Sequence, residues 1–345
     1  MEQFINTKII YTPGEDDLKE AAALLREGKL VAMPTETVYG LGVNALLPDA
    51  PPKVYAAKGR PSDNPLIIHL ARAEDAEKYA VTCEAYHRLA KAFMPGPLTV
   101  ILPKRECIPD SVTGGLSSVA VRVPSHPIAH RLIELCGFPV AAPSANLSGR
   151  PSTTTAEHVI EDMTGKVDMI LNGGASDIGL ESTIVLPKED GTLMLLRPGA
   201  ITVEMLEEEG FTVVLDKAVT ARLQDGEQPM APGMKYRHYA PHARVVLLSG
   251  EREAVWAAME PYRNLPDTAL VCYADDPVAN ATNARILGAF DRRDEQARNL
   301  FDLLRSFDSQ PEITRIYAPL PDRKGIGLAL FNRMLKAAGY DIQEV

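Results

Sequence analysis

The chain has 345 residues, of which 46% are apolar and 24% are charged, and its formal net charge is −10 at pH 7. This length exceeds the usual size of one hydrophobic core and predicts two domains. An acidic chain argues against binding nucleic acid by bulk electrostatics. The lack of an apolar run of about eighteen residues argues against a membrane-spanning helix.

The N-terminal segment and the cysteines predict the compartment. The first residues lack a basic stretch followed by an apolar one, which a secretory signal would need. The cysteines are scattered without a C-x-x-C pair, so neither a disulfide framework nor a structural zinc site is expected. They are Cys83, Cys107, Cys136 and Cys272. We therefore expect a cytoplasmic protein without a metal bound by its own side chains and without membrane association.

Helical and strand patterns alternate over residues 1–210. An amphipathic helix is predicted at residues 16–25, with Asp16 or Asp17 as its cap. The apolar runs that follow are joined by helical segments or by short glycine-rich turns, which predicts parallel and antiparallel strand pairs. We expect an α/β fold with a large domain at 1–210, a linker or lid at 211–243, and a small Rossmann-like domain at 244–345.

Two motifs near the N-terminus have the composition of a ligand site. PTETVYGLG at residues 34–42 combines hydroxyls, a carboxylate and two glycines, and it contains Thr37. AKGRPSDNPL at residues 57–66 places Lys58, Arg60 and Asn64 in a loop before an apolar run. Cations at a strand edge suit an anion, and arginine matches phosphate or carboxylate with a planar fork. The two motifs predict a site for an anionic ligand, with a nucleotide favoured.

Polar residues at the ends of other apolar runs extend this prediction. His69 is either an ordinary core histidine or a pocket residue beside the second motif. Ser118 and Arg122 share one strand face, where an inward arginine needs an anion and an outward one lies in solvent. The remaining polar loops suit either phosphate oxygens or ordinary turns. They contain Ser144, Asn146 and Ser152, then Glu181, Ser182 and Thr183, and finally Arg197. Together these loops predict one cleft lined by strand termini.

Three further features leave alternatives open. Residues 228–242 contain three prolines, and also Tyr236, His238 and Tyr239, so this segment is either a solvated linker or a lid over the ligand. The combination of Ser144 with His69 or His126 suggests a hydrolase, but no G-x-S-x-G elbow supports it. A glycine pair before the last predicted helix lacks the third glycine of a dinucleotide-binding loop.

Six motifs in this order resemble the YrdC-like L-threonylcarbamoyladenylate synthases. They are PTETVYGLG, AKGRPSDNPL, VAVRVP, APSANLSG, ESTIV and LRPG. The linker PGMKYRHYAP and the C-terminal α/β unit resemble the long, two-domain form of that family. The resemblance implies a YrdC-like domain with a twisted mixed sheet. It also implies condensation of L-threonine, bicarbonate and ATP into the adenylate and pyrophosphate, for modification of tRNA beside the anticodon.

The resemblance also assigns roles to residues at matching motif positions. Those expected around L-threonine are Thr37, His69, Arg122, Ala142 through its backbone, and Ser182. Those expected at ATP are Lys58, Arg60, Asn64, Ser118, Ser144, Asn146, Ser152, Arg197 and Tyr236. Lys58 and Arg60 are also expected to be catalytic, by stabilising phosphate charge together with a magnesium ion carried in by ATP.

Expected partners are the small-molecule substrates, a downstream threonylcarbamoyl transferase complex and, transiently, tRNA. The main alternative is an RNA-binding module without catalysis, in which a basic concavity would bind the phosphate backbone. A hydrogenase-maturation carbamoyl transferase is a second alternative. The absence of any C-x-x-C pair and the modest length argue against it.

Overall fold

A computed structural model describes residues 5–222, 230–231 and 238–345 of the chain. The described residues form two compact units. The first comprises most of the chain up to residue 222, together with residues 230–231. The second comprises residues 238–345 with Gly149–Pro151 and Ile178–Leu180. Tyr236 lies outside the described residues, as does most of the predicted lid motif.

The first unit is built on an eleven-stranded mixed sheet with the order β1-β8-β2-β3-β7-β4-β6-β5-β9-β10-β11. Its strands are β1 (Lys8–Ile10), β2 (Val31–Met33), β3 (Gly40–Asn44), β4 (Ile67–His69), β5 (Leu98–Pro103), β6 (Ser118–Arg122), β7 (Val140–Ala142), β8 (Met169–Leu171), β9 (Thr183–Pro187), β10 (Thr192–Arg197) and β11 (Thr212–Leu215). The sheet combines parallel pairs such as β4–β6 with antiparallel pairs such as β5–β6. The mixed sheet predicted from the sequence is therefore confirmed.

The helices of this unit cover the sheet with their apolar faces. They are α1 (Glu15–Arg26), α2 (Pro51–Lys58), α3 (Glu84–Phe93), α4 (Asp110–Thr113), α5 (Pro127–Cys136), α6 (Ala156–Met163) and α7 (Val203–Glu208). Leu25 of α1 and Leu132 of α5 are fully buried in one cluster with Val31 and Met169. The predicted cap of α1 is wrong: Gly14 is the N-cap, and its N–H donates to Asp17 Oδ2 at 2.9 Å.

Strand β3 overlaps the end of the first polar motif, where the sequence predicts a ligand loop. It pairs with β2 and with β7, and all five of its residues are buried. Glycine is required at position 42, because a Cβ there would lie 2.9 Å from Val140 Cγ1 and 3.2 Å from the carbonyl oxygen of Val31. Gly42, one of the two glycines that suggested a loop, instead lets neighbouring strands approach closely.

The second unit contains a five-stranded parallel sheet with the order β14-β13-β15-β12-β16. The strands are β12 (Arg244–Ser249), β13 (Thr268–Tyr273), β14 (Ala284–Gly288), β15 (Arg315–Pro319) and β16 (Ile342–Glu344). Its helices are α8 (Arg252–Met259), α9 (Arg293–Ser306) and α10 (Gly327–Ala337). The predicted small α/β domain with a parallel sheet is confirmed. No helix in the described ranges combines the length and apolar character needed to cross a membrane.

Candidate functional site

Three neighbouring strands of the first unit place polar side chains in one row. His69 of β4 is in register with Arg122 of β6, and Arg122 is in register with Thr99 of β5. Partners in register project from the same sheet face. All three side chains are buried. The adjacent row, Ile67, Ala120 and Ile101, belongs to an apolar cluster. The same face therefore offers a polar row beside an apolar one.

Arg122 faces a buried carboxylate that follows β2. Its Nη2 lies 2.8 Å from Oε1 of Glu36, and the side chains are 5% and 7% exposed. This close pair lacks the alignment of a hydrogen bond. Nε and Nη2 of Arg122 and both Glu36 oxygens are buried without a hydrogen-bond partner among the described residues. Burial, the largest single influence, favours the neutral acid, but the Arg122 guanidinium and the backbone N–H groups of Glu36 and Ser125 together lower the pKa of the Glu36 carboxyl.

The two buried threonines on either side of Glu36 form a hydrogen-bonded turn in the first motif. Thr35 Oγ1 lies 2.8 Å from Thr37 Oγ1 and donates to the carbonyl oxygen of Val38 at 2.5 Å. The backbone N–H groups of Thr37 and Val38 also donate to Thr35 Oγ1. This compact turn fixes the position of the intervening glutamate, since its neighbours on both sides are tied down.

His69 is held as a neutral imidazole. Its Nδ1 lies 3.1 Å from the carbonyl oxygen of Ile67 and 3.3 Å from that of Val140. Because both partners only accept, Nδ1 carries the proton, and Nε2 is left as an acceptor. Burial, with the Arg122 charge as a second cause, lowers the pKa of His69 to about 3. A neutral acceptor is suited to a ligand that donates a hydroxyl or an N–H group.

Acid is expected to destabilise the protein through His69. The unfolded residue has a pKa of about 6.5, whereas that of the folded residue is about 3, so the unfolded state binds more protons between these values. Stability from this group is complete above the unfolded pKa and is lost as pH falls toward 3. Stability is measured by urea unfolding at neutral pH and near pH 5. Between these two pH values the wild type should lose more stability than His69→Asn. An equal loss in both proteins would contradict this; the exposed His87→Asn serves as control.

Lys58, at the end of α2, is fully engaged by the loop after β7. Its Nζ donates to the carbonyl oxygen of Ser144 at 2.6 Å and to that of Asn146. Asn146 Oδ1 lies 3.5 Å away and also accepts from Ser144 Oγ at 2.5 Å. Burial, aided by the Arg60 charge, lowers the pKa of Lys58 well below its usual value. The lysine thereby fixes the backbone of the loop that carries three predicted nucleotide contacts.

A second polar network joins the strand ends around Ser182. Ser182 Oγ lies 2.7 Å from Thr99 Oγ1 and accepts from Arg197 Nη2 at 3.1 Å. Arg197 Nε donates to the Ser182 carbonyl oxygen at 3.0 Å. Ser152 Oγ donates to Glu181 Oε1 at 2.6 Å. Ser182 is thus connected through Thr99 to the row that contains Arg122. Glu181 directly precedes Ser182 in sequence, so the Ser152–Glu181 hydrogen bond adjoins this network.

The remaining predicted residues lie in the loops and strand ends around this face. Arg60 donates to the carbonyl oxygens of Asn64 and Pro65 at 3.3 and 3.1 Å. Asn64 is buried, and its Oδ1 has no partner in the described part of the chain. Ala142 is in register with Ile67, and the half-buried Ser118 begins β6. No group of acidic, histidine and cysteine side chains that could hold a metal ion occurs within the described ranges.

Sequence reasoning missed Glu36 and Thr99 as members of the site. Glu36 lies between two threonines in the first motif, and no cation adjoins it in sequence to suggest a partner. Thr99 occupies an apolar run that reads as an ordinary core strand. Only the pairing of β4, β6 and β5 places these residues together, so strand register was the missing information.

Two family models match nearly all of the chain. The Sua5_yciO_yrdC model, described as telomere recombination, matches residues 23–199. The model of the threonylcarbamoyl-AMP synthase C-terminal domain matches residues 201–339.

Relatives match over nearly their full length. Threonylcarbamoyl-AMP synthase of Pyrococcus abyssi is 46% identical over 331 residues, which span 95% of this chain and 96% of the relative. The synthase of Bacillus subtilis is 43% identical over 340 residues, 97% of each chain. The crystal structure of P. abyssi Sua5 complexed with L-threonine has a TM-score of 0.87 and 43% identity, and the match covers 98% of this chain and 99% of that one. The chain therefore belongs to the Sua5/YciO/YrdC family, among its two-domain threonylcarbamoyl-AMP synthases.

Proposed function

We infer that this chain is a nucleotidyltransferase that condenses L-threonine, bicarbonate and ATP into L-threonylcarbamoyladenylate, with release of pyrophosphate and water. Its product supplies the threonylcarbamoyl group for modification of tRNA beside the anticodon. The observation that carries this inference is similarity to threonylcarbamoyl-AMP synthases over both units of the chain. The same similarity argues against the alternative of an RNA-binding module without catalysis.

L-Threonine is proposed to bind on the polar row. Arg122 would pair with its carboxylate, and Thr37, His69, Ser182 and the backbone of Ala142 would surround the rest. The unpartnered nitrogens of buried Arg122 support this role, because such groups are costly to bury without an acceptor. The hydroxyl of threonine can donate to the neutral His69 Nε2. A threonine carbamate decomposes readily in water, so a buried site also protects the intermediate.

ATP is proposed to bind along the loops beside this row. Its contacts would come from Lys58, Arg60, Asn64, Ser118, Ser144, Asn146, Ser152 and Arg197, with Tyr236 added from the linker. Arg60 and a magnesium ion that enters with ATP would stabilise charge as the carbamate oxygen attacks the α-phosphorus. Lys58 would act chiefly by holding the Ser144–Asn146 backbone in place, as its carbonyl contacts support.

Pyrophosphate release is the direct test of the reaction. Purified protein is given ATP with magnesium, and threonine and bicarbonate are each supplied or omitted. Release that requires both supports the synthase. Release with neither indicates a plain nucleotide hydrolase, and no release in any arm contradicts the proposal. Addition of a chelator should abolish the reaction if magnesium is required.

The domain boundaries are proposed to follow the sheet of the first unit. Strand β11 pairs with β10 in parallel over four residues, so a cut after residue 210 removes an edge strand. A fragment 1–222 is expected to unfold at higher urea concentration than a fragment 1–210. If the linker acts as a lid, fragment 1–222 should bind threonine but release little pyrophosphate. Full activity of that fragment would instead make the linker a spacer.

Cytoplasmic location, delivery of the adenylate to a transferase complex and transient contact with tRNA are proposed with the function. An acidic chain should bind tRNA weakly, with affinity that falls steeply as salt is raised. Filter binding of tRNA at two salt concentrations, with and without ATP and threonine, measures this contact.

A further inference from the structure

We propose that Glu36 binds the α-amino nitrogen of the substrate, so that Glu36 and Arg122 together form a receptor for a zwitterionic α-amino acid. This inference rests on the proposed function and adds a specificity-determining residue to the threonine site. It assigns to Glu36 a contact with the substrate itself in addition to its contact with Arg122.

Glu36 and Arg122 both have buried polar atoms that form no well-aligned hydrogen bond among the described residues. A buried ion pair that existed only for stability would satisfy its remaining polar atoms internally, because unpaired buried atoms are costly. Here Oε1 and Oε2 of Glu36 and Nε and Nη2 of Arg122 form no well-aligned hydrogen bond among the described residues, although the backbone N–H groups of Glu36 and Ser125 also act on the carboxylate. Two acceptors and two donors of opposite charge thus lie side by side in a buried position.

An α-amino acid presents the matching arrangement. Its carboxylate accepts hydrogen bonds, its amino nitrogen donates them, and the two groups are attached to the same carbon. The charged atoms of Glu36 and Arg122 are 2.8 Å apart, so their charges are spaced closely enough to meet both ends of one such ligand. Opposite charges aligned in this way favour the correct ligand and disfavour ones with a single charge. The carbamate formed from the amine keeps an N–H group that can still donate to Glu36.

The surroundings leave Glu36 as the available anionic acceptor for the amine. The Glu36 charge also acts on His69 and His126, and burial lowers the pKa of both imidazoles. Neutral His69 is an acceptor but carries no charge to attract an ammonium group. Asp177 acts on His126 but is absent from the groups that affect Glu36 or His69.

The test compares two ligands in two proteins. L-Threonine carries the α-amino group, whereas 3-hydroxybutyrate keeps the hydroxyl and carboxylate without it. Both are titrated into the wild-type chain and Glu36→Gln, and binding is followed by ligand-observed NMR, which detects weak affinities. Glu36→Gln keeps the size of the side chain but removes the charge. The control, Glu134→Gln, removes the carboxylate of an exposed arginine pair at 3.0 Å.

If Glu36 binds the amine, Glu36→Gln should weaken threonine by at least about tenfold and leave 3-hydroxybutyrate nearly unchanged. A tenfold change corresponds to about 1.4 kcal/mol. Equal weakening of both ligands would overturn the proposal and leave Glu36 as a support for Arg122 alone. Unchanged threonine binding would overturn it as well. Failure of the wild type to bind threonine at all would instead contradict the proposed function.

Two further measurements separate ligand contact from general damage. The KM for ATP of Glu36→Gln should stay close to the wild-type value, while the KM for threonine rises. Its urea midpoint should fall, because buried Arg122 loses its counter-charge, so both KM values are measured where the variant remains folded. Glu36→Asp, which keeps the charge on a shorter side chain, should restore part of the threonine affinity. A variant with raised KM values for both substrates and no rescue by aspartate would contradict a direct contact with the amine.

Discussion

Replacement of Arg122 by alanine is expected to remove threonine-dependent activity and to destabilise the fold at the same time. The Arg122 side chain is 5% exposed and its Nη2 lies 2.8 Å from Glu36 Oε1, so its removal leaves a buried carboxylate without its counter-charge. Breaking a buried pair in this way costs about 3–5 kcal/mol. Urea unfolding gives the loss of stability, and pyrophosphate release at increasing threonine concentration gives the loss of substrate binding.

A double variant distinguishes these two effects. In Arg122→Met with Glu36→Gln, no buried charge remains unpaired, so stability should recover by a large part of the loss seen with Arg122→Ala. Threonine-dependent activity should stay absent, because the carboxylate has no cation to bind. If the double variant also recovered threonine use, the carboxylate of the substrate would be held elsewhere. If Arg122→Ala were as stable as the wild type, the charge pair would not be buried as described.

Lys58→Met is expected to lower the rate of adenylate formation by about 10²-fold, the loss that a displacement of about 1 Å in an active-site group can cause. The carbonyl oxygens of Ser144 and Asn146 would lose their ammonium donor. Each unsatisfied buried acceptor costs about 1–3 kcal/mol, so the loop after β7 should move to find other partners. Pre-steady-state pyrophosphate release and the KM for ATP would measure the result.

Lys53→Met is the matched control for Lys58. Both lysines belong to α2, and Lys53 Nζ also donates to a backbone carbonyl oxygen, that of Gly28, at 2.7 Å. Its loop is remote in sequence from the predicted nucleotide contacts. We expect Lys53→Met to lose some stability and to keep normal turnover. Equal loss of activity in both variants would indicate that Lys58 affects the reaction only through overall folding.

The sequence predicted much of the architecture because its signals are local. The helix α1 has apolar positions spaced at helical intervals, and the run after the second motif becomes the buried strand β4. Strand β3 was missed, because Gly40 and Gly42 carry a turn signal whenever their neighbours in space are unknown. In the structure Gly42 is required by the close approach of Val140, a contact between residues far apart in sequence.

The site was predicted residue by residue from motifs, but its connections were not. Nothing near Arg122 in the sequence indicates that a glutamate from the end of β2 lies beside it. Likewise, the sequence places Lys58 in a cationic loop suited to phosphate. In the folded chain its ammonium group already donates to two backbone carbonyl oxygens. Contacts of this kind depend on which strands pair, and that information is not local.

The strand order of the first unit also bears on how quickly the protein folds. Neighbours in the sheet such as β1 and β8, or β3 and β7, are separated by long stretches of chain that must be ordered before they can pair. Such high contact order slows folding, because the loop-closure entropy is lost before the pairing contacts form. The row His69, Arg122 and Thr99 requires three strands, and Glu36 requires a fourth. In a refolding experiment, threonine binding should therefore return only in the slow phase, after most helical signal has already recovered.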